Sequence, residues 1–241
     1  QETGVEVLHE EALDILDGQG CLVDGNRVHV PPHVVEKARL TAPSTFKIYS
    51  REGNLEKDVL VSLDHINYGP SATATHTFDA KTGRRRKYVR RDAADTARVC
   101  DALPNIDYTA SMGTVSDVDP DLAEVYEFAE MIANSGKPAM AWSYSLDACQ
   151  DIHQIALAVA GGEEPFIRRP NYFFFCEPMP PLRCSEESVD KILYCSQHRV
   201  PMVFAPVEMS GGSTPVTIAG GVAMSISDWF SLKLSGPGRR S

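Results

Sequence analysis

The regular alternation of apolar strands and amphipathic helices after residue 91 is the feature that most constrains this fold. Strand segments start near residues 107, 138, 171 and 201, and all but the last lead into a segment with helical periodicity. The starts are roughly 31 residues apart, about one eighth of a 250-residue barrel of parallel strands. The spacing predicts an α/β fold of the TIM (β/α)8 barrel type, with about four βα units present. A doubly wound sheet of four strands is the rival fold.

Hydrophobic periodicity and turn residues predict the individual elements. The basic run Arg84–Lys87 is typical of a solvated edge strand. We expect an N-terminal α+β segment over residues 1–90 and the first half of a barrel over residues 91–241. Helices are predicted over residues 7–16, 34–40, 92–103, 121–134, 146–159 and 185–198, and strands over 22–30 (a hairpin), 46–49, 59–61, 106–110, 138–142, 172–176 and 200–204.

Both ends of the chain predict that it is a fragment of a longer protein. The sequence begins at Gln1 without a methionine, and Ser235–Ser241 follows a helical segment with no further strand. A barrel needs eight units, and an open half-barrel would leave two bare sheet edges. We therefore expect a truncated barrel.

The composition is that of a globular, acidic protein. The chain has 241 residues, 43% of them hydrophobic, and a net charge of -10, which disfavours nucleic acid or an anionic membrane as partner and suits a cationic ligand. Without an apolar run of 18 residues or a signal peptide, it is predicted to be soluble and cytoplasmic. Six cysteines without a C-x-x-C pair indicate reduced, mostly buried thiols.

The sequence lacks the motifs of common cofactors and nucleophiles. It contains neither G-x-G-x-x-G nor a P-loop, and it has no nucleophile elbow. His76 and His153 are the histidines with interior potential, but neither has a second ligand four residues on. No metal site is therefore predicted, and no catalytic residue is assigned.

Reactive groups in parallel barrels lie at the carboxyl ends of the strands, which here are residues 111–113, 142–144, 176–177 and 207–209. Glu177 leaves the core after an apolar run, and Glu208 borders a glycine-rich turn. Either carboxylate is suited to hold a cation or accept a proton. A helix N-cap or a salt bridge in a loop is the alternative for each.

Trp142 and Tyr144 are candidates for an aromatic cage around an ammonium group. Such a cation–π contact stabilises binding by roughly 0.5 to 2 kcal/mol. The alternative is that these rings only cap the barrel core.

The stretch Pro206–Gly221 joins the fourth strand to a glycine-rich turn and a predicted helix start. Gly211 and Gly212 permit close backbone approach, and Thr214 with Pro215 has the pattern of an N-cap and a first helical residue. This junction is a candidate ligand site. The alternative is a tight turn that binds nothing.

Six stretches occur in the same order as in one known family. Together they resemble the trimethylamine methyltransferase family from Glu2 to about Met224. They are Glu2–Leu13, Val23–Val28 with Pro31, Ala42–Ser44, Gly69–Pro70, Asp101–Asp107 and Thr214–Gly220.

The resemblance implies a TIM barrel that transfers a methyl group from a methylated amine, such as trimethylamine or a betaine, to the cobalt of a separate corrinoid protein. It also implies a place in methylamine metabolism and methanogenesis, with no tightly bound cofactor. Family members continue for about as many residues again, and the archaeal enzymes carry pyrrolysine in that later half. The family's strand-turn stretch falls on Pro206, Gly211, Gly212, Thr214, Pro215, Thr217 and Gly220, and its Gly-Pro loop on Gly69 and Pro70.

The predicted function is thus a corrinoid-dependent methylamine methyltransferase that forms homo-oligomers. Its substrate contacts are predicted to be Trp142, Tyr144, Glu177, Glu208, Gly211, Gly212 and Thr214. A noncatalytic half-barrel that serves as a binding or assembly module is the alternative.

Overall fold

The structure, a computed structural model, describes residues 3–71 and 73–233, with side chains through Asp228. Its helices are α1 (Glu10–Gly18), α2 (Pro32–Thr41), α3 (Arg90–Ala102), α4 (Ala123–Asn134), α5 (Leu146–Ala160), α6 (Glu163–Arg168), α7 (Glu186–Gln197) and α8 (Ile218–Lys233). Its strands are β1 (Val5–Val7), β2 (Leu22–Asp24), β3 (Arg27–His29), β4 (Phe46–Ile48), β5 (Val59–Val61), β6 (His76–Phe78), β7 (Arg85–Lys87), β8 (Ala139–Ala141), β9 (Tyr172–Cys176), β10 (Arg183–Cys184) and β11 (Met202–Phe204).

The chain divides into two compact units. The terminal unit combines Gln1–Pro43 with Phe175–Ser241, and the central unit is Ser44–Phe174. Strand β9 passes through the boundary between them. The predicted division at residue 90 concerns a whole barrel and stays a prediction.

The terminal unit contains a mixed sheet with the strand order β10-β1-β3-β2. Strand β1 runs parallel to β10 and antiparallel to β3, and β2 and β3 form the predicted hairpin. Val7 and Val28 of this sheet and Ala12 and Leu16 of α1 are buried. The apolar stripe of α1 therefore meets the apolar face of the sheet, as burial of a helix stripe requires.

The predicted helix over residues 7–16 begins too early. Val7 belongs to β1, and α1 begins only at Glu10 because His9 caps it: the His9 Nδ1 accepts the Ala12 N–H at 3.2 Å. Hydrophobic periodicity alone does not separate a buried strand residue from the start of a helix.

Parallel pairing joins successive strands of the central unit. Strand β8 pairs in parallel with β9 from Ala139 opposite Tyr172 to Ala141 opposite Phe174. Thr109 forms a single parallel bridge to Ala139, so the predicted strand over residues 106–110 is limited to that one bridge. Asp107 is engaged elsewhere, because its N–H donates to the Tyr68 carbonyl at 2.7 Å.

Aromatic rings fill the core of the central unit. Phe128 of α4 packs edge-on against Tyr172, with ring centroids 5.3 Å apart, and Phe166 of α6 lies 5.5 Å from the same ring. The His153 Nδ1 lies 3.0 Å from the Tyr172 hydroxyl. His153 thus has the predicted interior position, whereas His76 is exposed in β6.

Smaller hairpins flank this core. Strands β4 and β5 are antiparallel, as are β6 and β7. Strand β7 carries the basic run, which is largely exposed as predicted. The chain is thus mixed α/β, and the described residues form several small sheets without a closed barrel.

Two further sequence expectations concern thiols and membranes. All six cysteines are buried and unbridged, as predicted. Among the described residues, no helix combines the length and the hydropathy that a membrane crossing needs. The expectation that the chain breaks off after Ser235 lies outside the described residues.

Candidate substrate-contact residues

The aromatic pair Trp142 and Tyr144 lies directly after β8 in the central unit. The two rings meet edge to face, with centroids 4.9 Å apart and an angle of 77°. Trp142 is half-buried, whereas Tyr144 is 70% exposed. The structure therefore brings these two predicted residues together, and Tyr144 presents an aromatic surface to solvent.

The start of α5 holds the loop that carries this pair. Ser145 is the N-cap of α5, and its hydroxyl accepts the Ala148 N–H at 3.1 Å. The Ser143 hydroxyl donates to the Ser145 carbonyl at 2.8 Å. Such capping bonds restrict the loop on both sides of Tyr144.

A buried carboxyl that the sequence analysis missed lies near Trp142. Glu127 of α4 is 1% exposed, and its Oε1 accepts the Val115 N–H at 2.9 Å. Burial raises the pKa of Glu127 to about 8, against the lowering effect of the Val115 N–H bond; the nearby Glu124 charge also raises it. The signal in the sequence was a glutamate one position before Phe128, on a helix face that also buries Glu124, Met131 and Ile132.

Two carboxyl groups meet in the terminal unit. Glu208 follows β11, and Asp228 lies on α8 with no exposed surface. Burial, together with the neighbouring Asp228 carboxyl, raises the pKa of Glu208 to about 7. Asp228 Oδ1 also accepts the Leu182 N–H at 2.6 Å. Glu208 is therefore partly protonated near neutral pH, because two adjacent carboxylates repel each other.

The partner of Glu208 was not predicted from the sequence. Asp228 is distant in sequence and lies on a helix whose pattern gave no sign of a buried acid. Both carboxyl oxygens of Glu208 are buried and lie outside ordinary hydrogen-bond geometry with any described residue. A cation in contact with them would relieve the repulsion within the pair.

Glu177 is exposed immediately after β9. Its contact with α7 runs through the backbone: the Ser188 hydroxyl donates to the Glu177 carbonyl oxygen at 3.1 Å. Its role as a substrate contact stays a prediction.

The glycine-rich turn directs its backbone N–H groups inward. The N–H groups of Gly212, Ser213 and Thr214 donate to the Met209 carbonyl at 2.9, 3.0 and 3.2 Å, and the Gly211 N–H donates to the Thr214 carbonyl at 2.9 Å. Gly211 has a φ of 80°, a left-handed conformation that favours glycine. This arrangement favours a self-contained turn over an anion cradle, which would need free N–H groups.

The predicted helix start at Thr214 is wrong. Helix α8 begins at Ile218, and Thr217 is its cap: the Thr217 hydroxyl accepts the Gly220 N–H at 3.2 Å. Thr214 is instead buried in the turn, within 3.4 Å of the Met209 carbonyl through its hydroxyl. Thr214 and Thr217 lie three residues apart, and either has the side chain of a helix cap. Because Thr214 belongs to the turn, Thr217 caps α8.

Within residues 3–71 and 73–233, no group of three or more His, Cys, Asp or Glu side chains has an arrangement that would hold a metal ion. The carboxyl pair and the aromatic pair are thus the polar and aromatic features that stand out at strand ends.

The chain is similar to known proteins of one family. The family model for trimethylamine methyltransferase (MTTB) matches residues 1–231. The chain is 27% identical over 220 residues to the trimethylamine methyltransferase MttB of Desulfitobacterium hafniense, covering 90% of this chain and 44% of that protein. It is 29% identical over 228 residues to MttB of Methanosarcina barkeri, covering 91% of this chain and 45% of that protein.

A relative named for another methylated amine matches a similar share of this chain. The glycine betaine methyltransferase of Desulfitobacterium hafniense strain Y51 is 24% identical over 225 residues, covering 93% of this chain and 46% of that protein. The chain thus spans slightly less than half the length of these curated relatives. The match over residues 1–231 shows that the chain belongs to the trimethylamine methyltransferase family.

Proposed function

We propose that this chain contributes to a methyltransferase that moves a methyl group from a methylated amine to the cobalt of a corrinoid protein. The family match over residues 1–231 carries this proposal. Relatives named for trimethylamine and for glycine betaine support a methylated amine as the methyl donor. The corrinoid acceptor, the closed TIM barrel, the cytoplasmic location and the homo-oligomer are further parts of the proposal that follow from the sequence.

The proposed reaction exchanges one bond to a methyl carbon for another. The C–N bond breaks, and its electron pair leaves with the amine, which is neutral when the donor is a quaternary ammonium. The corrinoid protein supplies the nucleophilic cobalt that takes the methyl group. The work of this chain's residues is then to bind and orient the cation, a positioning and electrostatic role.

The Glu208–Asp228 pair has the charge for that role. Near neutral pH Glu208 is partly protonated, because burial and repulsion from the Asp228 carboxyl raise its pKa to about 7. An ammonium ion at the pair favours the fully ionised form and displaces the proton. Cation binding there should therefore strengthen as the pH rises through about 7.

Trp142 and Tyr144 are a second, independent candidate contact. An aromatic ring attracts an ammonium ion through its negative face. Tyr144 is exposed beside Trp142, so its ring is open to such a ligand. We propose Glu177, Gly211, Gly212 and Thr214 as lesser contacts, to be tested one by one.

Calorimetric titration of the chain with tetramethylammonium, trimethylamine and glycine betaine tests the binding step. We expect Glu208→Gln to weaken cation binding about tenfold at pH 8 and to remove its pH dependence. Trp142→Leu should weaken binding at pH 8 by a similar factor, since roughly 1 to 2 kcal/mol is lost with a cation–π contact.

Two controls accompany this titration. Glu187→Gln removes an exposed carboxylate of α7 and should leave binding unchanged. The second control is 3,3-dimethyl-1-butanol, in which a neutral tert-butyl group replaces a trimethylammonium group. It should bind no more tightly to the wild type than to Glu208→Gln. Equal cation affinity of wild type and both variants would contradict the proposed contacts.

The transfer step is tested separately with reduced free cobalamin as the methyl acceptor, followed by its absorption spectrum. Methyl transfer from one of the three amines would support the enzyme. Binding without transfer, by a chain that forms a monodisperse assembly, would favour the noncatalytic binding module instead.

A further inference from the structure

Glu127 occupies a helix position where burial opposes a charged side chain. It precedes Phe128 on the face of α4 that also buries Met131 and Ile132, and it is 1% exposed. Transfer of an ionised carboxylate into such surroundings is costly unless it is paired or protonated. Packing alone therefore does not explain a glutamate at this position.

The carboxyl of Glu127 connects two strand-end segments of the central unit. Its Oε1 accepts the Val115 N–H at 2.9 Å, within the segment that follows the Thr109 bridge. Ser111 and Trp142 also lie near the carboxyl and lower its pKa, although the Ser111 hydroxyl donates to the Gly113 carbonyl at 2.6 Å. Glu127 thus lies between residue 111 and residue 142, behind the ends of neighbouring strands.

The second oxygen is the more informative one. Glu127 Oε2 is buried and has no hydrogen-bond partner of ordinary geometry among the described residues, and the same holds for Trp142 Nε1. The indole N–H is close enough to affect the carboxyl electrostatically but falls short of a full hydrogen bond. A hydrogen bond between these two buried groups would satisfy both of them.

We propose that Glu127 is a positioning residue that sets the orientation of the Trp142 indole, and with it the Trp142–Tyr144 pair, through its second carboxyl oxygen. When Glu127 is ionised, Oε2 accepts the Trp142 N–H and holds the ring in one orientation. When Glu127 is protonated, that acceptor is weakened and the indole is released. The relevance of this to substrate binding rests on the proposed function, but the positioning itself does not.

The pKa of Glu127 lies within a pH range that a titration of the protein can cover. Burial, together with the Glu124 charge, raises the pKa of Glu127 to about 8, against the lowering effect of the Val115 N–H bond. The ring of Tyr144 shares an edge-to-face contact with Trp142, so a turn of the indole moves that contact as well.

Other titratable groups around α4 have their own partners. Burial raises the pKa of the Tyr88 phenol above its ordinary value, so it stays neutral through this range. Arg90 of α3 pairs with Glu130, one turn further along α4, and lies over the Tyr126 ring, and its backbone N–H donates to Asp117. His153 of α5 pairs with the Tyr172 hydroxyl.

Tryptophan fluorescence of the chain tests the proposal without any substrate. In a Trp229→Phe background, Trp142 is the only tryptophan. We expect its emission to change in one step with a midpoint near pH 8 between pH 6 and 10. Glu127→Gln should abolish that step, and Glu130→Gln, on the same helix, should retain it. A step that persists in Glu127→Gln, or none in the parent, overturns the proposal.

Nuclear magnetic resonance covers the case in which Glu127→Gln does not fold by circular dichroism. The indole N–H resonance of unsubstituted protein, assigned with Trp142→Phe, should shift with the same midpoint, and an invariant resonance overturns the proposal. Titration with tetramethylammonium separates this proposal from the proposed function. If the emission step depends on Glu127 but the emission does not respond to the cation, the positioning role is supported. Only cation binding by Trp142 and Tyr144 is then refuted.

Discussion

Asp92 shows how one side chain serves two purposes at the start of α3. Its carboxylate accepts a hydrogen bond of 2.9 Å from the Val89 N–H, an otherwise unpaired donor at the helix start. It also accepts hydrogen bonds of 2.6 and 2.7 Å from the two terminal nitrogens of Arg86. The hydrogen bonds from Arg86 hold the pKa of Asp92 below its ordinary value, against a raising effect of burial. A carboxylate in the first turn also suits the helix dipole.

Asp92→Ala should lower the free energy of unfolding by about 1 kcal/mol at pH 7, the usual cost of a lost cap. Because the folded pKa is depressed, the contribution of Asp92 is present above its unfolded pKa of about 3.9 and is lost as the pH falls through the folded value. The difference from wild type in urea unfolding should therefore shrink below about pH 4. Asp95→Ala, an exposed change on the same helix, is the control, and a difference that does not vary with pH would contradict this account.

The C-terminal end of α3 depends on a lysine from another part of the central unit. Lys137 is 6% exposed, and its ammonium donates to the carbonyls of Cys100, Leu103 and Ile106 at 2.6 to 2.7 Å. Burial lowers the pKa of Lys137, while nearby acidic groups oppose this effect. The terminal carbonyls of a helix have no partner within the helix, so this lysine supplies one.

Lys137→Met should destabilise the chain by roughly 2 to 4 kcal/mol, since hydrogen bonds to a charged group contribute more than neutral ones and buried carbonyls would lose their donor. Amide hydrogen exchange should accelerate most in the last turn of α3. Lys47→Met, at an exposed position of β4, is the matched control and should change stability by less than about 0.5 kcal/mol. Similar losses in the two variants would rule out this role for Lys137.

At the scale of the whole molecule, the buried acid of α4 makes folding depend on pH. Burial raises the pKa of Glu127 to about 8 in the folded state, whereas a glutamate in an unfolded chain has a pKa near 4.3. The folded state thus binds this proton more tightly than the unfolded state does. Stability from this residue is complete below about pH 4 and is lost as the pH rises toward 8.

Glu127→Gln removes that dependence while keeping a similar shape. The stability of Glu127→Gln relative to wild type should rise from about pH 5 to pH 8, by at most about 1.4 kcal/mol per pH unit. Urea unfolding at several pH values measures this change, and Glu130→Gln is the comparison on the same helix. A constant difference between wild type and Glu127→Gln would refute the raised pKa.

The sequence by itself determined where most helices and strands lie and which family the chain belongs to, because periodicity, capping residues and ordered motifs are local properties. It also identified Trp142 with Tyr144, which are near neighbours in the chain. Only the tertiary structure decided that the Thr109 segment makes a single bridge, that Thr217 and not Thr214 caps α8, and that Glu208 meets Asp228. The same is true of Glu127, which reads as one more helical glutamate until the helix packs. Burial and long-range pairing set the protonation of Glu127 and Glu208. Neither can be recognised within a short window of the sequence.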